Sequence, residues 1–373
     1  MMTTIEHLTL AISLAKQAKR ENIKGNPFVG AVVVSETGEI IGSGFHEIWG
    51  GKHAEVIAIE EALTKNNDLS SCTLYVTLEP CSHHGKTPPC TDLILQSGIK
   101  KVFIGSLDPN PKVSGFELLK QKGIDIEFIE LEEAIELNKI FFVNQTKQRP
   151  FVALKMAATL DGKIADYEGS SKWITNEKSR NYLHANIRSQ VDAIMSTAKT
   201  VVTDQSTLNC RIPGKQATEV NAVIIDQTGQ LLQASNKQHP IFYKRAHSKV
   251  YLITAPGAID ESFISLPDVS VIEIEFDTNN KINLAQLGKK LIELGIYNIL
   301  VESGSMFCGS LLDAGWADEI HYFIGAKILA DTNALPVFKS DKLIKLEASV
   351  GLTLKSASTF DNDFYLHYAI DSL

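Results

Sequence analysis

The sequence holds no run approaching the roughly 18 consecutive apolar residues of a membrane span. Its opening, MMTTIEHLTLAISLAKQAKR, reads as an amphipathic helix without a cleavable apolar segment, so no membrane contact is expected and a cytoplasmic location is. Cysteine is scarce: five in 373 residues, at positions 72, 81, 90, 210 and 308. An odd, sparse set opposes a disulfide framework and leaves metal binding or plain burial to explain the thiols. Basic residues are outnumbered, 36 Lys and Arg against 44 Asp and Glu for a net charge of -8. With no basic run, attraction to nucleic acid is opposed. Proline is low, 12 against 24 glycines, which excludes a collagen-like chain, and 44% hydrophobic with 21% charged residues excludes a wholly disordered one. Neither a G-x-G-x-x-G fingerprint nor a G-x-x-x-x-G-K-[ST] loop is present.

What is present is enough chain for two cores, since 373 residues exceed the size at which one core keeps growing. Ile5, Leu8, Ala11, Ile12 and Ala15 recur at helical spacing ahead of a Gly/Asn/Pro turn and the strand-like run Val29 to Val34. A Gly-rich connection, a helix from about His53 to Leu63, a strand at Thr73 to Leu78, a helix from Cys90 and a strand at Lys101 to Ile104 continue the alternation. Glu130 to Asn144 reads as one connecting helix, which puts the boundary near Pro150 and gives domains 1–147 and 148–373. Beyond it, strands at Phe151 to Met156, Val191 to Met195, Ala222 to Ile225, Val250 to Ile253, Val269 to Ile274 and Ile299 to Val301 predict an open, largely parallel sheet with ligands at the strands' carboxyl ends. Glu319 to Ile324 and Phe364 to Ile370 are expected to pair at its edge. The charge is spread evenly, 14 basic against 19 acidic residues up to position 148 and 22 against 25 beyond.

The strongest chemical signal is His53-Ala54-Glu55 at a helix start, with Glu79-Pro80-Cys81 after a strand and Pro89-Cys90 opening a second helix. One imidazole and two thiolates suit a single Zn2+, and three protein ligands leave the fourth tetrahedral position for water, as in a catalytic site. The helix amino terminus at Cys90 is expected to favour its thiolate. Glu55, two residues past His53, can reach that water and move protons while zinc brings its pKa toward neutrality. Zinc base deaminases carry this chemistry on a His-x-Glu then Pro-Cys-x-x-Cys signature; here eight residues, not two, separate the cysteines. The competing reading makes His53, Cys81 and Cys90 structural. Cys72, Cys210 and Cys308 lack ligand-spaced partners and read as packing, and His83 and His84 read equally as solvated loop residues.

The insert PCSHHGKTPPC, with HAE upstream and DPNP at Asp108 to Pro111, resembles the deaminase half of the bifunctional riboflavin-biosynthesis deaminase/reductase family. LKMAATLDGKIA at Leu154 to Ala165, WIT at Trp173, IRSQVDAI from Ile187 and VESGS from Val301 resemble its reductase half. The resemblance implies an α/β chain: a cytidine-deaminase-like three-layer domain, then a dihydrofolate-reductase-like α/β domain. It implies hydrolysis of the 2-amino group of 2,5-diamino-6-(5-phosphoribosylamino)pyrimidin-4-one, then NADPH reduction of the product's ribosyl group to ribityl. Asn26, His46, His83, Lys86, Asp108 and Asn110 would shape the first pocket, Lys86 as a phosphate partner.

For the second pocket the resemblance implies cofactor contacts at Ala157, Trp173, Thr200, Asp204, Gly304, Ser305, Met306, Phe307, Cys308, Gly309 and Ser310. Substrate contacts would be Ser171, Arg188, Leu208, Arg211 and Glu302, with Lys155 and Asp204 as candidates for electrostatic or proton-transfer help. The strand Ile299 to Val301 leading through Glu302-Ser303-Gly304-Ser305 into a helix offers backbone amides to a phosphate. The chain reads Asp204-Gln205-Ser206 where many members read Asp-Asp-Pro, and Ser196 to Thr200 replaces a more glycine-rich loop. A homo-oligomer is a family expectation. The alternative is a zinc deaminase of another base or nucleoside whose carboxy-terminal half only binds ligands or assembles; the long insert and the second domain argue against it.

Overall fold

The computed structural model describes the chain apart from residues 1, 86, 215–219, 232, 234, 235, 237, 246, 247, 259–265, 267, 341, 343, 344, 372 and 373. It divides into two units, Met1–Gln148 and Arg149–Leu373. In the first, Thr3 and Glu6 close a reciprocal capping box that satisfies amides left unpaired at the start of α1 (Thr4–Ala15). There follow α2 (Arg20–Ile23), β1 (Gly30–Val34), β2 (Ile40–Phe45), α3 (Ala54–Lys65), β3 (Thr73–Val76), α4 (Cys90–Gln96), β4 (Lys101–Ile104), α5 (Gly115–Gln121), β5 (Asp125–Phe128), α6 (Glu132–Leu137) and α7 (Lys139–Lys147). The strand order is β2-β1-β3-β4-β5. β1 runs antiparallel to both neighbours, and the pairs from β3 onward are parallel.

Strand alternation sends Ala31, Val33, Leu74, Val76, Val102 and Ile104 to the face packed by Ala58 of α3, Ile94 of α4 and Leu119 of α5. Val32, Val34, Tyr75 and Phe103 meet Leu8 of α1 on the other face. Covered on both sides, every residue of β1 is buried, which is the three-layer arrangement. Two sequence expectations change. The Gly-rich connection after β1 is strand β2, because a Cβ at Gly42 would lie 2.0 Å from the Ala58 carbonyl oxygen; glycine lets α3 lie directly on the strand. The single helix over Glu130 to Asn144 is two helices, broken at Asn138, whose Oδ1 accepts from Phe28 N (2.7 Å) and whose Nδ2 donates to Phe28 O (2.9 Å).

The second unit holds β6 (Phe151–Thr159), β7 (Lys163–Ala165) and α8 (Glu177–Tyr182), which runs into a π-helical turn Leu183–Ile187 and a tighter turn Arg188–Gln190. Then come β8 (Ala193–Thr197), α9 (Ala198–Asp204), β9 (Asn221–Ile225), α10 (Pro240–Tyr243), β10 (Val250–Thr254), β11 (Val269–Glu273), α11 (Leu284–Glu293), β12 (Asn298–Val301), α12 (Ser305–Asp313), β13 (Glu319–Gly325), β14 (Leu335–Pro336), β15 (Leu352–Phe360) and β16 (Asp363–Ile370). β14 pairs β7 in a small ribbon, and the main sheet runs β11-β10-β9-β8-β12-β6-β13-β16-β15. It is parallel from β11 to β13. β12 returns to lie between β6 and β8, so the order reverses there and opens a crevice at their carboxyl ends. Glu319 to Ile324 and Phe364 to Ile370 do pair, but the edge is β15, exposed along almost its whole length and thus without a burial pattern to read. Among the described residues no helix is long and apolar enough to cross a membrane.

Candidate functional site

His53 is the N-cap of α3 but makes no capping bond. Its Nδ1 lies 3.6 Å from Cys81 Sγ and 3.3 Å from Cys90 Sγ, and its Nε2 is 3.4 Å from Thr87 Oγ1, which holds the ring from behind. The three donor atoms lie within 4.8 Å of one another. One nitrogen and two sulfurs at this spacing fit tetrahedral zinc, with bonds of about 2.0–2.3 Å and one open position. The Cys81 thiol is pushed down to about 4, first by the hydrogen bond from the Cys90 thiol, with burial opposing and His53 assisting. The same bond, with burial, pushes Cys90 up. The amide at the start of α4 therefore serves Cys81 and not, as expected, Cys90: Cys90 N donates to Cys81 Sγ at 3.2 Å, because a first-turn N–H points out along the helix axis. Metal binding requires both sulfurs deprotonated.

Glu55, in the first turn of α3, is only 3% exposed, and burial raises its carboxyl above the usual range against the pull of His53. Asn26 Nδ2 lies 3.1 Å from His46 Nε2, and His46 Nδ1 lies 3.2 Å from Lys52 O. A neutral ring donating through Nδ1 satisfies both contacts, and burial keeps His46 below its ordinary pKa. The His46 ring stands edge-on to His53 at 5.5 Å, so Asn26 and His46 are brought beside the candidate metal ligand His53. Asp108 Oδ1 accepts from Asn110 N (2.8 Å); burial pushes Asp108 up to about 6, with the Asn110 amide opposing and the Glu79 charge adding. His83 is exposed, yet near enough to Asp108 to favour its charged form. Lys86 lies outside the described residues.

Sequence reasoning missed Glu79. Buried behind Pro80-Cys81, it accepts from Asp108 N (3.1 Å) through Oε2 and from Phe116 N (2.8 Å) through Oε1, tying the Cys81 segment to the Asp108 loop. A Cβ at Gly115 would lie 1.9 Å from Pro80 O, so this closure requires glycine there. No local pattern in the sequence marks it, because its two partners lie 29 and 37 residues downstream.

In the second unit, Arg188 and Glu302 form a bidentate pair at 2.6 and 2.8 Å, and Arg188 Nη1 also donates to Asn209 O (2.8 Å). Burial works against the Glu302 charge, but Arg188 outweighs it and holds the carboxyl down to about 2. Burial keeps Lys155, on β6, below the usual ammonium range, with Glu302 opposing. His184, also missed, accepts from Arg211 N through Nδ1 (2.9 Å) and is held down to about 4 by burial and by Arg188 and Arg211. Arg211 is exposed; Leu208 buries its side chain in the core and presents only backbone. Asp204 ends α9, exposed, and makes no hydrogen bond or ion pair with Lys155 among the described residues.

The hydroxyls of Thr197, Thr200 and Ser303 cluster at 3.1–3.5 Å where a glycine-rich loop was the family expectation. At Gly304, the N-cap of α12, a Cβ would meet nothing within 4 Å, so the helix amides face open space that fits a phosphate. Phe307 and Ser310 line a cavity of about 560 Å³ with Thr197, Lys199 and Asp226. Cys308 instead packs fully buried in the core, Gly309 faces the Lys339 carbonyl and Met306 is exposed, since consecutive helical residues cannot share one face. Ala157 and Ser171 are half-buried. Trp173 is exposed under the Arg180 guanidinium, 4.3 Å from the ring centroid.

Residues 1–106 match the family model for the cytidine and deoxycytidylate deaminase zinc-binding region, and residues 150–366 match that for the RibD C-terminal domain. The chain is 38% identical over 375 residues to the riboflavin biosynthesis protein RibD of Actinobacillus pleuropneumoniae, covering 100% of this chain and 96% of that protein. It is 34% identical to that of Escherichia coli K12, covering 87% and 88%. Among solved structures, the diaminohydroxyphosphoribosylaminopyrimidine deaminase/5-amino-6-(5-phosphoribosylamino)uracil reductase of Thermotoga maritima superposes with a TM-score of 0.78 at 38% identity over 99% of both chains. Acinetobacter baumannii RibD does so with 0.78 at 30% identity, again over 99% of both.

Proposed function

This chain belongs to the RibD family of bifunctional riboflavin-biosynthesis deaminases and reductases, and from that membership we propose which of its residues carry each reaction. Residues 1–147 remove the 2-amino group of 2,5-diamino-6-(5-phosphoribosylamino)pyrimidin-4-one, and residues 148–373 reduce the ribosyl group of the resulting uracil with NADPH. The reading is carried by the convergence of His53 Nδ1, Cys81 Sγ and Cys90 Sγ within 4.8 Å beside the buried Glu55. Those three residues hold zinc, which supplies an activated water when bound. Glu55, kept off bulk solvent, moves two protons in turn: the first from the attacking water to the ring nitrogen as the C–O bond forms, the second from the resulting hydroxyl to the amino group, which leaves as ammonia when the C–N bond breaks. Asn26 and His46 present their amide and imidazole beside the ligands, Asp108, Asn110 and His83 complete the pocket, and Lys86 is assigned to the substrate phosphate.

In the second half the helix amides at Gly304 and Ser305 and the Thr197, Thr200 and Ser303 hydroxyls meet cofactor phosphate. Ala157, Trp173, Asp204, Phe307 and Ser310 complete the contacts, with Met306 acting through its first-turn amide, while Cys308, whose amide donates to Gly304 O, and Gly309, packed on Lys339, support the helix from behind. Arg188 and Arg211, oriented by Glu302 and His184, with Ser171 and the Leu208 backbone, meet the phosphorylated sugar. Lys155 steadies charge as hydride is delivered. The chain works as a cytoplasmic homo-oligomer. Both half-reactions measured on one preparation test the assignment: chelation of zinc stops ammonia release and spares NADPH oxidation with the deaminated intermediate. Deamination of cytidine or guanine with the phosphoribosylaminopyrimidine untouched would refute the substrate.

A further inference from the structure

We propose a second divalent-metal site, formed by Glu319, His321 and His367 in the reductase half and separate from the zinc of the deaminase half. Glu319 and His321 stand two residues apart on β13 and so share one face of the sheet. His367 is the residue directly opposite His321 on the antiparallel neighbour β16. Two positions on one strand and the facing position on the next converge three side chains above the sheet, and here one donor atom from each lies within 4.8 Å of the others. Two imidazoles and one carboxylate are a zinc-type set that also takes cobalt, nickel or copper.

The ring geometry favours this over a simple ion pair. His367 Nε2 lies 3.0 Å from Glu319 Oε2, yet that nitrogen is buried and makes no hydrogen bond, so its N–H direction misses the carboxylate. The two imidazoles stack at 4.6 Å between centroids with 22° between planes, which sets the rings side by side over one face of the sheet. Tyr365, two residues before His367 on the same face, places its hydroxyl 2.8 Å from His321 Nδ1. Such a partner beside the ring fixes its orientation. Glu319 supplies the negative charge from a buried position, and His367, with its side chain 19% exposed, leaves a route of entry.

The test is cobalt titration of the metal-stripped full-length protein, followed by absorbance and elemental analysis. Two equivalents are expected to bind. One brings the intense near-ultraviolet band of cobalt–thiolate ligation, from the cysteine site; the other brings only weak visible bands, as nitrogen and oxygen ligands give. The His321→Gln/His367→Gln double variant is expected to hold one equivalent and keep the intense band. Cys81→Ser/Cys90→Ser is expected to hold one without it. Tyr365→Phe, which leaves all three ligands in place, is expected to weaken the second equivalent about 10–100-fold, and this keeps the proposal testable if the double variant fails to fold. A single equivalent in the unsubstituted protein, or a second that persists unchanged in the histidine double variant and in Tyr365→Phe, overturns the proposal.

Discussion

Replacing Glu79 with glutamine tests whether the zinc-ligand segment and the Asp108 loop act as one piece. The carboxylate serves two backbone amides, those of Asp108 at 3.1 Å and Phe116 at 2.8 Å, from a side chain 8% exposed. Glutamine keeps one oxygen and turns an NH2 toward the other amide. One charge-assisted bond is then lost, another weakened, and a buried donor orphaned, which together cost about 2–4 kcal/mol. At about 1.4 kcal/mol per decade, complete transmission to the transition state would lower kcat/KM for deamination about 30- to 1,000-fold; loop relaxation recovers part, so a loss of at least about tenfold is expected. Reduction of the deaminated intermediate, measured on the same sample, is the internal control and should stay within about twofold. Unchanged deamination, or a parallel fall of both activities, would refute the positioning role.

Glu55→Gln should lower ammonia release by about a hundredfold or more while NADPH oxidation with the deaminated intermediate persists; retained deamination would remove the proton carrier. Arg188→Lys replaces the two-bond pairing with Glu302 by a point charge, and the loss of about 1.5–3 kcal/mol should lower kcat/KM for reduction at least about tenfold without touching deamination. A normal rate would take the pair out of the site. His184, held down to about 4 from an ordinary 6.5, refuses a proton that the unfolded chain accepts. Stability should therefore be unaffected above pH 6.5 and decline as pH falls from 6.5 toward 4, by up to about 2 kcal/mol at pH 5. Denaturant titrations at pH 7 and pH 5 should show this loss, and His184→Gln should flatten it; an equal slope in the variant would assign the loss elsewhere.

The convergence of His53, Cys81 and Cys90 was legible because few residue types can bind zinc, and the carboxylate proposed to move protons beside them was named for the same reason. His53, Glu55, Cys81 and Cys90 announce their chemistry by identity and spacing. The alternation of helices and strands was legible for the same local reason, since apolar periodicity is written along the chain. Strand β2 was hidden because its glycines serve the packing of α3, and β15 because an exposed edge carries no alternation. Glu79, Thr87 and His184 act through partners 27 to 37 residues away, and nothing local in the chain marks them. Tertiary closure alone decided that the Cys90 amide serves Cys81, and that His367 faces His321 across 46 positions. A strand register one residue different would turn His367 to the opposite face of the sheet, so that meeting belongs to the packed structure and not to any stretch of sequence.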